Sequence, residues 1–540
     1  MAEEYVIGID SGTQSTRAIL FNLKGEKIAS ASATHPALMT DERGLIVHDY
    51  QDVYQGLCTA CQILIEKIKK NSETATGTIK AIGIAAQRAT VFFLDKEGQQ
   101  LCRPISWMDR SWQSNEKYSD KWKDNLDAWQ YFLVNYSRMN WMQREYPDIF
   151  EKVEKYFTTS GYIHYKLTGE FADSLGNNLG MPVDREHWNL YQDSAVYEGM
   201  AITRSQLATF RNPGEIIGTI TNKAAKETGL PVGCPVVAGA GDKQCEILGS
   251  GTLNKGQAYI TMGTMTGLNL VDDQYIADEY KVTKHRTYTA AVPGFWNAEA
   301  VSPRGFWLIS WFRDNFAKNL NKDNPKKTIE QLLDEEAIHI SPGAEGLITI
   351  PDWKSTWDKP YAKGIFMGFD MRHGRAHMFR SLLEGIMMQL KIGTDDMCHS
   401  TNREIKELRV GGGGSKSYVA VQAIADIFNL SVKKSEEPET CSLGAAICAA
   451  VGAGCFPDFY AAAKAMGQNH TEFLPSTENH KLYQKLMEEI VNPYYKINEQ
   501  LLKKLQQIIS LYHKFETKTG GKDYATKKNH QGITRNCRKG

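Results

Sequence analysis

The stretch Asp10 to Arg17, DSGTQSTR, is made of residue types that hold phosphate. Asp10 closes a hydrophobic run. Gly12 permits a tight turn, whose N–H groups can then point at phosphate oxygens. Thr13, Gln14, Ser15 and Thr16 add hydroxyl and amide donors, and Arg17 adds a planar cationic fork. A carboxylate at a strand end, where Asp10 is expected, suits a magnesium ion held through water, because Mg²⁺ sheds its waters reluctantly. The stretch lacks Gly-Lys-Ser/Thr and runs into a strand rather than a helix, so it is not a P-loop. An ordinary hairpin with a polar turn is the alternative.

Three further turns have related chemistry. Asp242 follows Val236-Val237-Ala238 and the small-residue turn Gly239-Ala240-Gly241, which puts it at the exposed end of a strand. Taken alone, an Asp there reads as a turn former. Gly263-Thr264 is a second Gly-Thr turn between strand-like runs. Gly411 to Gly414 sits between a strand, Leu408–Val410, and a helical pattern, Tyr418–Phe428. Such a run lets backbone approach a ligand, and a helix N-terminus favours an anion.

The elements that must position these turns alternate between strand and helix patterns, which argues an α/β fold. Strands are expected at Tyr5–Ile9, Ala18–Phe21, Ile79–Ala85 and Val91–Asp95, with a helix at Tyr50–Lys70. The order strand, Gly-Thr turn, strand recurs at Ala258–Met262, Gly263-Thr264 and Gly267–Val271, the echo a duplicated domain would leave. The boundary is placed near residue 250, where Gly249, Gly251 and Gly256 form a plausible hinge. Ser442 to Phe456, rich in Ala and Gly, reads as a helix packed closely against another element. The last segment, His513 to Gly540, is polar and basic without hydrophobic periodicity, and a solvated, disordered tail is expected.

Composition narrows the function classes. The 540 residues are 42% hydrophobic and 23% charged, with 63 basic and 63 acidic side chains. A net charge of zero supplies no global field toward nucleic acid or membrane. MAEEYVIGID is not the pattern of a signal peptide, and no apolar stretch reaches the roughly 20 residues of a membrane span. A cytoplasmic setting is expected. The ten cysteines show neither disulfide-scaffold nor zinc spacing. Cys58 and Cys61 have redox spacing, but the pair lies mid-pattern in an amphipathic helix with Val53, Leu57, Cys61 and Leu64 on one face, and buried thiols are expected.

Taken in order, the motifs resemble those of the FGGY carbohydrate kinases, which share the actin-like ATPase fold. Asp10-x-Gly-Thr-x-x-x-Arg17 is similar to that family's first phosphate loop. Trp107-Met108-Asp109-Arg110 resembles its Trp-x-Asp-x-Arg region, and Arg138 to Met142 its first signature, with Arg138 where Lys is usual. Tyr162 through Leu167-Thr168-Gly169-Glu170 with Asp173 is a typical segment. Gly239-Ala240-Gly241-Asp242 resembles the catalytic loop. Gly364 to Glu384 resembles the second signature, with Phe369 in place of a smaller aliphatic. Gly411 to Gly414 with Ser417 resembles the adenosine loop, and Leu443-Gly444-Ala445-Ala446 the last block. Only the C-terminal tail lies outside.

The resemblance implies two actin-like (ribonuclease H-like) α/β domains with a cleft between them: residues 1–250 for sugar and phosphate, 251–512 for nucleotide. ATP and Mg²⁺ are the implied cofactors and a small sugar or polyol the implied partner, with a homodimer as candidate assembly. Asp242 falls on the general-base position and, with Asp10, supplies the metal carboxylates. A carboxylate beside the acceptor hydroxyl orients it and takes its proton. The implied nucleotide contacts are Gly12, Thr13, Gln14 and Arg17, then Gly263, Thr264 and Gly305, then Gly412, Gly413, Gly414 and Ser417. Arg88 and Trp107 are the expected substrate contacts, a donor fork and a flat apolar wall. Glycerol kinases resemble this stretch with Gln-Arg-Glu-Thr, but Ala89 stands at the Glu position. Xylulose kinases have Gln-Met-His, absent here. Lys243, next to Asp242, stands where relatives resemble one another in carrying a neutral amide. With Arg88 it would favour an oxygen-rich or carboxylate-bearing substrate, unless it pairs with Glu246. Two rival readings are an actin-like nucleotide switch without a sugar and a sugar-binding regulator without catalysis. The first does not require Arg88, Trp107 and Asp242 together. The second does not require intact Asp10, Thr13, Arg17 and Asp242.

Overall fold

The computed structural model describes residues 3–71, 76–278, 285–302, 304–322, 324–354, 359–467 and 469–518. The chain divides into two compact units. One is Met1–Trp307 with Gln389–Thr477, and the other is Leu308–Met388 with Glu478–Gly540.

Two large sheets dominate the described residues of the first unit. The first sheet comprises β1 (Glu4–Ser11), β2 (Ser15–Asn22), β3 (Lys27–Thr34), β4 (Thr78–Ala86), β5 (Ile216–Thr219) and β6 (Pro235–Gly241), in the order β5-β6-β4-β1-β2-β3. β1, β2 and β3 form an antiparallel meander, while β4 and β6 run parallel to β1. The second sheet comprises β7 (Gln257–Met262), β8 (Thr266–Asp272), β9 (His285–Thr289), β10 (Trp296–Ser302), β11 (Glu407–Gly411), β12 (Val432–Ser435) and β13 (His470–Phe473), in the order β9-β10-β8-β7-β11-β12-β13. Here too β7, β8 and β10 are antiparallel, and β11 and β12 continue parallel to β7. Two sheets with this shared order are two actin-like (ribonuclease H-like) halves. The echo at Gly12-Thr13 and Gly263-Thr264 is therefore the same β-hairpin turn, once in each sheet.

β1 is buried from Tyr5 to Ser11, as expected of a strand covered on both faces. Tyr5, Ile7 and Ile9 pack with Val53, Leu57, Cys61 and Leu64 of α1 (Asp52–Lys70). Burial pushes the Cys58 thiol up to about 11 and raises Cys61 as well, so both are inert packing residues. Val6, on the opposite face, packs with Leu443, Ala446 and Ala449 of the helix Thr440–Gly452. That helix lies on backbone rather than on side chains. A Cβ at Gly83 of β4 would stand 1.9 Å from the Ala445 carbonyl oxygen.

The second unit contains an antiparallel pair, Ile348–Ile350 with Ile365–Met367. Its helix Ile329–Ala337 begins with a capping box at Thr328. Arg380 Nε and the Tyr483 hydroxyl both donate to the buried Glu384 carboxylate, each at 2.7 Å. The last helix, Asn492–Lys518, runs six residues into the segment expected to be a tail, and residues 519–540 lie outside the described residues. No helix among the described residues is long and apolar enough to cross a membrane.

Contact between helix and sheet backbone leaves no room for a methyl group. Gly83→Ala should destabilise the fold by at least the ~1–3 kcal/mol of ordinary overpacking. Gly374→Ala, where an added Cβ meets nothing within 4 Å, should stay within about 0.5 kcal/mol of the parent. Chemical denaturation of both variants checks this, and equal midpoints would refute the packing argument.

Candidate active site

The site forms where strands of the first unit end. The β1–β2 register sets Asp10 directly opposite Arg17. The Arg17 guanidinium reaches Asp10 at 3.5 Å and Glu439 at 3.6 Å. Gly12 N–H donates to the Ser15 carbonyl at 3.0 Å, closing the turn between them. Asp242 follows directly on β6. It opens α2 (Asp242–Gly249), where a negative side chain meets the favourable end of the helix dipole.

Arg88 lies beyond the end of β4, before Ala89, whose φ of 62° is unusual for a residue with a side chain. Its Nη1 and Nη2 donate to the two carboxylate oxygens of Glu299 at 3.3 and 3.1 Å. Its Nε stands 3.6 Å from Asp242 Oδ1. The guanidinium lies over the Tyr288 ring, 5.0 Å from its centre. Burial works against this cation, yet Glu299 and Asp242 raise its pKa above the usual value. The route is open because residue 241 is glycine: a Cβ there would come 2.9 Å from Arg88 Cγ.

Thr13 and Trp107 form the adjoining wall. The Trp107 indole N–H donates to Thr13 Oγ1, and the Thr13 hydroxyl donates to Gln87 Oε1, both at 2.8 Å. The amide nitrogen of Gln87 is 3.2 Å from His48 Nε2. Burial, with His35 adding to it, pushes His48 down to about 4, so its ring is neutral and accepts this bond. Trp107 remains 44% exposed.

Lys243 Nζ donates to Glu246 Oε2 at 2.9 Å and lies 3.5 Å from Thr261 Oγ1. Lys243 thus pairs with Glu246 on its own helix. Tyr259 and Thr261 also donate to Glu246, at 2.9 and 3.0 Å. Burial opposes the Lys243 charge, but Glu246 and Asp242 raise its pKa.

The second group of expected residues is contiguous with β7. Phe306 N–H donates to the Gly263 carbonyl at 3.0 Å. A Cβ at Gly305 would stand 2.3 Å from the Thr264 carbonyl oxygen, and one at Gly414 would stand 2.4 Å from the Phe306 ring. A Cβ at Gly411 would meet the Tyr259 hydroxyl at 2.0 Å, and Gly412 has φ 85°. Only Gly413 has open space around it. Three of the four glycines at 411–414 thus answer the protein's own packing or backbone geometry rather than the approach of a ligand alone. Ser417 caps the helix α3 (Tyr418–Phe428), accepting from Ala420 N–H at 3.0 Å. Gln14 is exposed, and its backbone carbonyl accepts from His35 N–H at 2.8 Å.

Three residues near the expected set have no signal in the sequence: Glu299, Glu439 and Cys441. Each lies on an element distant in sequence from the group it touches, with no local pattern to mark it. Cys441 donates to the Asp242 carbonyl at 3.4 Å. Arg138 is buried, donating to the Tyr136 and Asp109 carbonyls at 3.1 and 3.2 Å, so its chemistry is structural.

Asp10 and Asp242 suit a hydrated dication. Burial first, and then the charge of Asp242, pushes Asp10 up to about 6, against the pull of Arg17. A dication would relieve that repulsion. Among the described residues no three His, Cys, Asp or Glu side chains form a metal cage. Mg²⁺ does not need one, since one or two carboxylates and substrate phosphates commonly suffice.

Family models describing the N-terminal and C-terminal domains of FGGY carbohydrate kinases match residues 5–249 and 258–453. The chain is 31% identical over 514 residues to the uncharacterized sugar kinase YgcE of Escherichia coli K12, covering 94% of this chain and 97% of that one. It is 26% identical over 505 residues to a xylulose kinase of Bacillus subtilis, covering 91% and 97%. In fold it resembles gluconate kinase from Lactobacillus acidophilus, with a TM-score of 0.78, 21% identity and coverage of 93% and 99%.

The raised Asp10 pKa has a measurable consequence. A carboxyl that holds its proton to about pH 6 when folded, against about 3.9 unfolded, weakens folding as pH rises from about 4 to 6. The full cost, up to about 3 kcal/mol, stands above that range. Without divalent cations, Asp10→Asn should therefore be more stable than the parent at pH 7.5 and equal to it near pH 4. Denaturation at the two pH values decides, and a gain of equal size at both would rule out the buried charge.

Proposed function

The chain belongs to the FGGY family of carbohydrate kinases and is a phosphotransferase acting on a sugar hydroxyl; from that premise we propose that Asp242 is the general base, with ATP as the phosphate donor. The observation that carries the assignment is the Arg88 bridge. A buried guanidinium tied to Glu299 holds one oxygen of a carboxylate that is itself 35% exposed. A base must be fixed in direction yet open to its proton donor, and this arrangement meets both needs.

In the proposed reaction Asp242 orients the acceptor hydroxyl and takes its proton as the O–P bond forms. Arg88 keeps the Asp242 carboxylate turned toward the acceptor and offers its remaining N–H groups to substrate oxygens. Trp107, fixed through Thr13, supplies an apolar wall for the carbon chain. The Gly12-Thr13 and Gly263-Thr264 turns offer backbone N–H groups to phosphate oxygens, and Arg17 moves from Asp10 and Glu439 to the phosphates. Gly305, Gly412 to Gly414 and Ser417 line the nucleotide. Mg²⁺, when bound, supplies charge neutralisation at the phosphates, and Asp10 with Asp242 would hold it through its waters.

Asp242→Asn should lower sugar-dependent ADP formation by about 10²–10⁴ while nucleotide affinity stays near the parent value. A coupled assay with a sugar panel, beside nucleotide titration calorimetry, measures both quantities. A folded Asp242→Asn protein with parental turnover would remove the assignment.

A further inference from the structure

The surroundings of Asp242 carry more negative than positive charge, and each cation there already has an anionic partner. Arg88 is spread over Glu299 and Asp242. This pairing is nearly dry, with side chains 17% and 7% exposed for Arg88 and Glu299. Lys243 is held by Glu246, and Tyr259 and Thr261 lock that carboxylate in turn. Arg17 lies between Asp10 and Glu439. Three cations thus face five carboxylates, a formal balance of −2 before nucleotide and metal enter.

The donors that face the Asp242 carboxylate are already committed: the Lys243 backbone N–H donates to its Oδ1 at 2.9 Å, and Arg88, whose Nε stands 3.6 Å away, is bound to Glu299. A hydroxyl both donates and accepts, so it can give its hydrogen to Asp242 or Glu299 and accept from Arg88 or the wall around Thr13. A carboxylate only accepts. It would meet two like charges, and the one donor fork beside them already gives two of its N–H groups to Glu299 and turns a third toward Asp242 at 3.6 Å. Juxtaposed like charges and unpaired buried acceptors are how a site excludes a ligand of otherwise correct shape.

We propose that this kinase phosphorylates neutral sugars or polyols and excludes sugar acids, with Glu299 as the specificity-determining residue that neutralises Arg88. This rests on the placement of the acceptor at Asp242. It replaces the carboxylate preference that Lys243 and Arg88 suggest when read as two free cations.

Steady-state kinetics with Mg²⁺-ATP on compounds sharing a carbon skeleton tests it: xylulose and xylitol against xylonate, fructose and glucitol against gluconate. The expected kcat/KM for the best neutral compound exceeds that of its aldonate by at least a factor of about 100, a gap a like-charge clash readily supplies. Glu299→Gln should raise the aldonate-to-neutral ratio at least about tenfold, chiefly through a lower aldonate KM. An aldonate used as well as its neutral partner, or no neutral compound used at all, overturns the proposal. So does an unchanged ratio in folded Glu299→Gln; should that variant not fold, the parental ratio decides alone. An aldonate preference with Asp242→Asn still inactive overturns only this inference. Parental turnover by Asp242→Asn would instead sink the catalytic assignment.

Discussion

The helix Thr440–Gly452 rests directly on the backbone of β1 and β4, and the candidate site depends on that contact. Because glycines at positions 8 and 83 remove the side chains between them, the helix comes as near as its own carbonyl oxygens allow. Its first turn and the residue before it then reach the ends of the strands. Glu439 meets Arg17 there, and Cys441 meets the Asp242 backbone. A helix held off by ordinary side chains would leave Arg17 with Asp10 alone and would open a gap behind the two carboxylates. The same closeness buries Asp10 and raises its pKa, so packing and electrostatics here have one cause.

The site stores charge in a compensated form. Asp10, Asp242, Glu246, Glu299 and Glu439 would repel one another strongly if left bare in a partly dry space. Arg17, Arg88 and Lys243 are interleaved among them. Buried pairs of this kind add little net stability, because desolvation offsets much of the attraction. What they contribute is direction: the Arg88 fork fixes a carboxylate plane, and the hydrogen bonds from Tyr259 and Thr261 fix Glu246. Ligand binding then exchanges partners among groups already charged, without generating new charge in a low dielectric.

Some of this was legible in the chain. Tyr418–Phe428 is helical over the expected residues, and the strands at Tyr5–Ile9 and Ala18–Phe21 extend by a residue or more at each end. These elements show hydrophobic runs or clear periodicity bounded by turn residues, so local pattern and tertiary burial agree. The duplicated strand–Gly-Thr–strand order was visible for the same reason. The glycine run at 411–414 was visible as well, but its reason was not: packing on Tyr259 and Phe306 comes from strands and loops more than 100 residues away.

By itself the sequence determined the α/β class, the two related sheets, the phosphate-type turns and the carboxylates at strand ends, since all of these follow from residue types within a few positions of one another. It also marked Arg88 and Lys243 as cations near Asp242. Whether those cations are free or neutralised was decided only by the tertiary structure. Glu299 reaches Arg88 because β10 joins a sheet whose turns lie beside β4 and β6, and no pattern near residue 88 encodes a partner 211 residues away. Charge complementarity across such a distance is a property of the assembled fold, because Coulomb energy depends on separation in space and on the solvent excluded between the groups, not on separation along the chain.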